Sequence, residues 1–283
     1  MLGAIIGDIV GSRFEFNNHR SMDFDLFAPG CFVTDDSIMT LAVAKGIMET
    51  EKRVESSVSD YRFDGEYHHL LSEMTVKYMQ EIGRQYPNCG YGGMFARWIF
   101  SDHPEPYNSF GNGAAMRISP VGFVAGTELE ATSLSGTITS VTHDHEEGIK
   151  GAEATVIAIF LALNGFTKSE IRDRISNEYY SLDFTIDEIR PTYIFNETCQ
   201  KTVPQAIECF LESDSFEDAI RIAISLGGDS DTIAAITGAM AEAYYGVPDD
   251  IRHKGLAYLD EELRSIYDQW EKFIGKERKN QPK

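Results

Sequence analysis

The stretch GGDSDTIAAITGAMA, residues 227–241, carries the reading of the fold. Gly227-Gly228 ends one helical pattern, and Asp229-Ser230-Asp231-Thr232 opens the next. Ile233, Ile236 and Met240 share one side of that helix, with Ala234, Ala235, Gly238, Ala239 and Ala241 around the rest. Small side chains let neighbouring backbones approach closely, so the helix and its acidic start are expected to be buried. Two carboxylates buried there without a partner are expensive. A hard cation held by carboxylate and hydroxyl oxygens resolves the cost, and oxygen-only ligands point to Mg2+, Mn2+ or Ca2+ rather than Zn2+.

The same arrangement occurs near the start of the chain. Thr34-Asp35-Asp36-Ser37 precedes the apolar run Ile38 to Met48, with Thr34 placed as an N-cap. Acidic residues in a first turn also suit the helix dipole, which by itself accounts for one such cluster. Two clusters together offer enough ligands for two metals. A third element precedes both: Gly3, Gly7 and Gly11 lie four apart along an apolar helix that carries Asp8, with Glu15 just beyond. The glycines read as tight helix packing. Asp8 reads as a buried hydrogen-bonding group, and Glu15 as a helix-end carboxylate facing whatever the glycines pack against.

Elsewhere helical signals dominate and strict alternation is scarce. Thr167-Lys168-Ser169-Glu170 has capping-box form, and Ser215-Phe216-Glu217-Asp218 reads as a second helix start. Residues 68–84 form a helix with Leu71, Met74 and Tyr78 on one face. Val203-Pro204 places a proline in a first helical turn, ahead of the stripe Ala206, Ile207, Phe210 and Leu211. Ile38 to Met48 and Ile149 to Leu163 are apolar nearly all round, as central helices are. No Pro/Gly/Ser-rich linker divides the chain, so one all-α domain over 1–275 is expected, followed by a basic, disordered tail at 276–283.

The 25 Lys and Arg against 45 Asp and Glu leave a charge of −20, which opposes bulk binding to nucleic acid or anionic membrane. An anionic substrate then needs local positive charge, which a metal supplies. The widely spaced Cys31, Cys89, Cys199 and Cys209 are expected to be reduced. Residues 1–10 lack a basic flank and are interrupted by Asp8, a poor signal peptide, so a cytoplasmic monomer is expected.

These features together resemble the ADP-ribosylglycohydrolase family, which includes the dinitrogenase-reductase-activating glycohydrolases and the ADP-ribosyl-acceptor hydrolases. The likeness rests on Gly7-Asp8-x-x-Gly11 with Glu15, Thr34-Asp35-Asp36-Ser37, Gly111-Asn112-Gly113-Ala114-Ala115-Met116-Arg117, Thr142-His143-Asp144-His145, and Gly227 to Thr232. The resemblance implies a compact orthogonal helical domain with two Mg2+ (or Mn2+). It implies Thr34, Asp35 and Asp36 as ligands from one side, and Asp229, Asp231 and Thr232 from the other. Glu15 matches the glutamate beside metals and ribose, so Glu15, Asp35 and Asp36 are the catalytic candidates. Gly111, Asn112, Gly113, Ala114 and Met116 match a loop around the diphosphate and distal ribose. Phe110 falls where an aromatic packs on the ligand, and His143 lines the same pocket. Ser37 replaces the usual threonine, and Asp144 and Glu146 replace a common asparagine and proline.

The implied reaction is hydrolysis of the bond between the terminal ribose of ADP-ribose and an acceptor on a protein or related conjugate. Loops at 17–32 and 101–108 are expected to set the acceptor. A catalytically silent ADP-ribose-binding relative is one alternative. Another is an all-α HD-type phosphohydrolase, suggested by His143-Asp144 and His68-His69, which needs histidines as principal metal ligands.

Overall fold

The computed structural model describes residues 1–54 and 61–280. Helices run from α1 (Leu2–Gly11), α2 (Asp35–Glu51) and α3 (Gly65–Gly83) through α4 (Gly93–Ile99), α5 (Gly113–Met116) and α6 (Ser119–Val124). Then come α7 (Glu128–Ser140), α8 (Glu146–Leu163), α9 (Lys168–Glu178), α10 (Ile186–Ile189) and α11 (Cys199–Glu212). The last four are α12 (Phe216–Leu226), α13 (Ser230–Tyr245), α14 (Asp249–Leu256) and α15 (Glu261–Asn280). Among the described residues the only β-type pairing is an isolated bridge between Gly111 and Thr198. The molecule is one all-α domain.

Local chemistry sets most helix starts. Ser215 accepts from Asp218 N–H, and Thr167 with Glu170 forms the expected capping box. Thr34 caps α2 by accepting from Asp36 N–H. Pro204 departs from expectation: α11 begins at Cys199, so the proline lies inside the helix rather than in its first turn. The chain enters α11 early because Cys199 N–H bonds the Phe110 carbonyl beside the Gly111–Thr198 bridge. Residues 276–280 continue α15, where Glu277 pairs with Arg62 at 2.9 Å. Of the tail expected at 276–283, residues 281–283 lie outside the described residues.

Helices α13 and α8 are central. Helix α13 packs on α1, α12, α11 and α8, while α8 also carries α7, α6 and α11. Helix α2 is buried between α1, α3 and α15. The closest approach is α1 on α13. A Cβ built on Gly3 would lie 2.0 Å from the Gly238 carbonyl oxygen, and one on Gly7 would lie 2.0 Å from that of Ala234. One on Gly11 would lie 2.4 Å from Asp231 Cα. The glycine spacing therefore does more than pack two helices: it brings Asp8 and the Glu15 loop onto the start of α13. No helix among the described residues is long and apolar enough to cross a membrane. All four cysteines are free thiols.

Candidate active site

Three helix ends converge. Asp8 on α1 is fully buried and accepts from Thr34 N–H at 3.1 Å, Thr34 Oγ1 at 2.6 Å, Ser37 N–H at 3.1 Å and the Ser37 hydroxyl. It therefore ties α1 to the first turn of α2. Its role as a buried hydrogen-bonding group matches expectation, and the hydroxyl of Ser37 suffices for it. Asn18 fixes the loop after α1: its Nδ2 donates to the Phe14, Glu15 and Gly228 carbonyls, while its Oδ1 accepts from Gly228 N–H at 2.8 Å. Gly228 stands at φ +76°, a left-handed geometry suited to glycine. Glu15 is thereby held over the start of α13.

The carboxylates now face one another. Oxygens of Asp8, Asp36 and Asp231 lie within 4.8 Å of each other, and so do those of Glu15, Asp229 and Asp231. Asp231 belongs to both groups. Asp35 lines the same cleft beneath Gly90, whose added Cβ would meet Asp35 Oδ1 at 2.7 Å. Thr232 Oγ1 donates to Asp36 Oδ2 at 3.3 Å, and Asp36 Oδ1 is buried with no partner. None of these acids pairs with a lysine or arginine among the described residues. An orphaned buried oxygen amid unpaired acids fits an oxygen-ligated divalent cation. Thr34, expected as a ligand, directs its hydroxyl to Asp8 instead of the cleft.

Burial pushes Asp8 up to about 6 against its hydrogen bonds, and burial, then repulsion from neighbouring acids, raises Glu15 and Asp35 to about 7. Asp36 and Asp231 move well above the ordinary range for the same reasons. For carboxyls raised on folding, stability is fully present below the unfolded values near 4 and is lost as pH climbs through the folded ones. With a chelator present, the melting temperature should therefore fall between about pH 5 and pH 8, at roughly 2–4 °C per kcal/mol. Saturating Mg2+ or Mn2+ should flatten the fall, because a cation favours the ionised forms. Calorimetry showing a level or rising curve in chelator contradicts this account.

The cleft has a volume of about 550 Å³, within the size range of small-ligand sites. Glu15, Asp35, Asp36, Asp229, Asp231 and Thr232 line it together with Phe110, Gly111, Asn112, Gly113, Met116 and His143. Two expectations change. Ala114 is fully buried and absent from the lining. Asn112 turns its side chain to Asp229 Oδ2 at 2.6 Å and Thr202 Oγ1 at 3.1 Å, tying the glycine loop to the acids. Asn112 N–H bonds the Glu197 carbonyl and Gly111 N–H the Ser109 hydroxyl. Of the three loop amides only that of Gly113 has no acceptor among the described residues.

His143 is buried and held neutral by burial and by the Arg117 charge. Its Nδ1 accepts from Arg117 Nη2 at 3.2 Å, which assigns the proton to Nε2 on the side of Gly111 and Gly113. Arg117 lies 5.2 Å from the Phe95 ring and pairs with no carboxylate, and burial lowers it to about 10. Phe110 is exposed, with its ring 5.1 Å from that of His145. His68 meets Thr137 at 2.7 Å, and neither it nor His69 lines the cleft. Asp144 Oδ1 accepts from Asn108 N–H at 2.6 Å. The histidine ligand set needed by a phosphohydrolase of the HD type is thus not assembled.

Sequence reasoning passed over Arg97, Phe195 and Glu197, which line the cleft and belong to no motif. Arg117, the last residue of the 111–117 motif, and Tyr107, in the 101–108 loop, line it as well.

The chain is similar to known proteins over most of its length. The family model for ADP-ribosylglycohydrolase matches residues 1–282. ADP-ribosylhydrolase ARH3 from Homo sapiens is 24% identical, with 87% of this chain and 84% of that protein covered. ADP-ribosylarginine hydrolase Tri1 from Pseudomonas putida (strain GB-1) is 28% identical, covering 87% and 70%. A solved structure titled "ADP-ribosylglycohydrolase-related protein complex" shares the fold with a TM-score of 0.65 at 22% identity, covering 94% of each chain.

Proposed function

The chain belongs to the ADP-ribosylglycohydrolase family, and from that premise we propose that it hydrolyses the bond joining the terminal ribose of ADP-ribose to an acceptor, releasing ADP-ribose. The observation carrying this reading is the set of unpaired, converging carboxylates at one end of a cleft walled by the glycine loop. Asp35, Asp36, Asp229, Asp231 and Thr232 would hold two Mg2+ (or Mn2+), with Thr34 serving through Asp8 or as a further ligand. Bound there, divalent cations supply Lewis acidity toward ribose hydroxyls and offset the negative field around an anionic ligand.

The chain's own groups do the rest. The Gly113 amide and the Nε2–H of His143 offer donors to diphosphate oxygens, and buried Arg117 adds positive charge behind them. Phe110 presents an exposed ring to the remaining part of the nucleotide. Hydrolysis breaks the bond from the anomeric carbon to the acceptor atom, which leaves with the electron pair and takes a proton. Water supplies the new oxygen. Glu15, whose carboxylate lies within 4.8 Å of those of Asp229 and Asp231 in the cleft lining, is the acid/base or substrate-positioning carboxylate.

The test is release of free ADP-ribose from an ADP-ribosylated protein, with and without chelator, by wild type and Glu15→Gln. Release is expected only with divalent cation, and Glu15→Gln is expected to lower kcat by about 10²–10⁴-fold while metal binding persists. No release under any cation refutes the hydrolase reading and leaves the silent relative. Full turnover by Glu15→Gln removes Glu15 from the mechanism alone.

A further inference from the structure

We infer that Arg117 is a positioning residue of this site: buried in the cleft wall without a carboxylate partner, it fixes the ring of His143 as a neutral donor through Nε2. The inference rests on the hydrolase reading above, which supplies the diphosphate this donor meets. It adds the residue that prepares the donor.

Arg117 follows the short helix of the glycine loop and is 1% exposed. A guanidinium taken out of water without a carboxylate is costly. Its Nε is buried with no hydrogen-bond partner, and its flat group lies 5.2 Å from the Phe95 ring. What it does hold is one short segment. Its Nη2 donates to the Thr142 hydroxyl and to His143 Nδ1, the latter at 3.2 Å. Thr142 Oγ1 lies 2.7 Å from the same ring nitrogen. The N–H groups of Thr142 and His143 both bond the Thr139 carbonyl, so the backbone beneath the ring is fixed at the end of α7.

Donor chemistry then decides the tautomer. Arginine has no acceptor atom, so the ring nitrogen facing it presents its lone pair. Because Thr142 Oγ1 accepts from Arg117, its own proton is free to point at Nδ1 as well. The ring proton is left on Nε2, 3.5 Å from where a side chain on Gly111 or Gly113 would begin. Among the described residues Arg117 is also the charge that acts on the ring, and it opposes a second ring proton. The other groups around the ring do not compete. Tyr107, with its ring 5.8 Å away, and Cys199, bonded to the Gly111 carbonyl, are both pushed up to about 12 by burial. Asp144 is turned onto Asn108 N–H. A charged imidazole also binds anions, but its charge comes and goes near neutral pH. Arg117 places the lasting charge one layer back and leaves the ring a donor of fixed direction.

Nitrogen NMR of the histidine rings in wild type and Arg117→Met tests this, with His143 assigned by its loss in His143→Gln. Spectra are taken between about pH 5 and pH 8, where an unrestrained histidine changes its charge. Affinity for ADP-ribose in Mg2+ is measured by calorimetry. Wild type should show a neutral His143 with its proton on Nε2 throughout. Arg117→Met should show mixed tautomers or a ring that charges within that range, and ADP-ribose affinity should fall by about tenfold or more, as for a lost hydrogen bond to a charged group. The wild-type spectrum decides even where the variant does not fold: a proton on Nδ1, or a charged ring, overturns the proposal. A spectrum unmoved by Arg117→Met, or one that changes while affinity does not, overturns it too. Each of these results leaves the hydrolase reading intact. Failure of wild type to bind ADP-ribose overturns that reading, and the purpose of the donor falls with it.

Discussion

Replacing Asp231 with asparagine is expected to abolish turnover and cation binding while leaving the fold intact. Asp231 is the one carboxylate common to both converging groups, so its loss weakens each of them. Asparagine keeps the size and the Oδ1 that accepts Thr232 N–H at 3.0 Å, so the start of α13 retains its hydrogen bond. What disappears is a charge buried among like charges. Cation affinity should drop by at least about 10²-fold, since even removal of outer-shell partners costs 10–100-fold. The second consequence has the opposite sign. Without cation, Asp231→Asn removes an uncompensated buried charge and should raise the melting temperature. The stabilisation that Mg2+ or Mn2+ gives wild type, which follows RT ln(1 + [L]/Kd), should vanish in the variant. Melting curves of both proteins, with chelator and with cation, should therefore cross. If Asp231→Asn keeps the cation-dependent rise, the converging acids are not the cation site.

That both acidic clusters were legible in the sequence has a local cause. Thr34 and Asp229 each stand at the start of a helix whose periodicity can be read directly, so the acids after them are placed by the chain itself. The glycine period of α1 was equally legible, because it only has meaning against another backbone. What it packs against was not, since the Gly3–Gly238 contact joins residues far apart in sequence. Pro204 misled for a related reason: a long-range pairing at Gly111 and Thr198 starts α11 before the proline. The direction of Asn112 was hidden too. Its motif implied a place in the substrate loop without saying that Asp229 and Thr202 claim its side-chain amide. Glu197 carried no signal at all, because it reaches the cleft through the Asn112 N–H bond to its carbonyl and the adjoining Gly111–Thr198 bridge, which join segments far apart in the chain.

The largest stability effect is expected from Gly7→Ala, and two physical terms oppose each other there. Helix propensity favours alanine over glycine by about 1 kcal/mol in a helix interior. Against it, the new Cβ would lie 2.0 Å from the Ala234 carbonyl oxygen, 2.3 Å from its carbon and 2.6 Å from Ala235 N. All three are backbone atoms of α13, so no side chain can turn aside. Relief requires α1 to move off α13, which opens the most extensive helix contact of the molecule and separates Asp8 from Asp231. Sterics should win, with a loss exceeding about 4 kcal/mol, the range reserved for disrupted cores. Gly136→Ala is the control. It lies in α7 with nothing within 4 Å of the added carbon, so propensity acts alone and should stabilise by roughly 0.5–1 kcal/mol. Denaturant unfolding of both variants separates the terms. Should Gly7→Ala match or exceed wild type in stability, the close α1–α13 contact cannot be what sets the spacing of the acidic site.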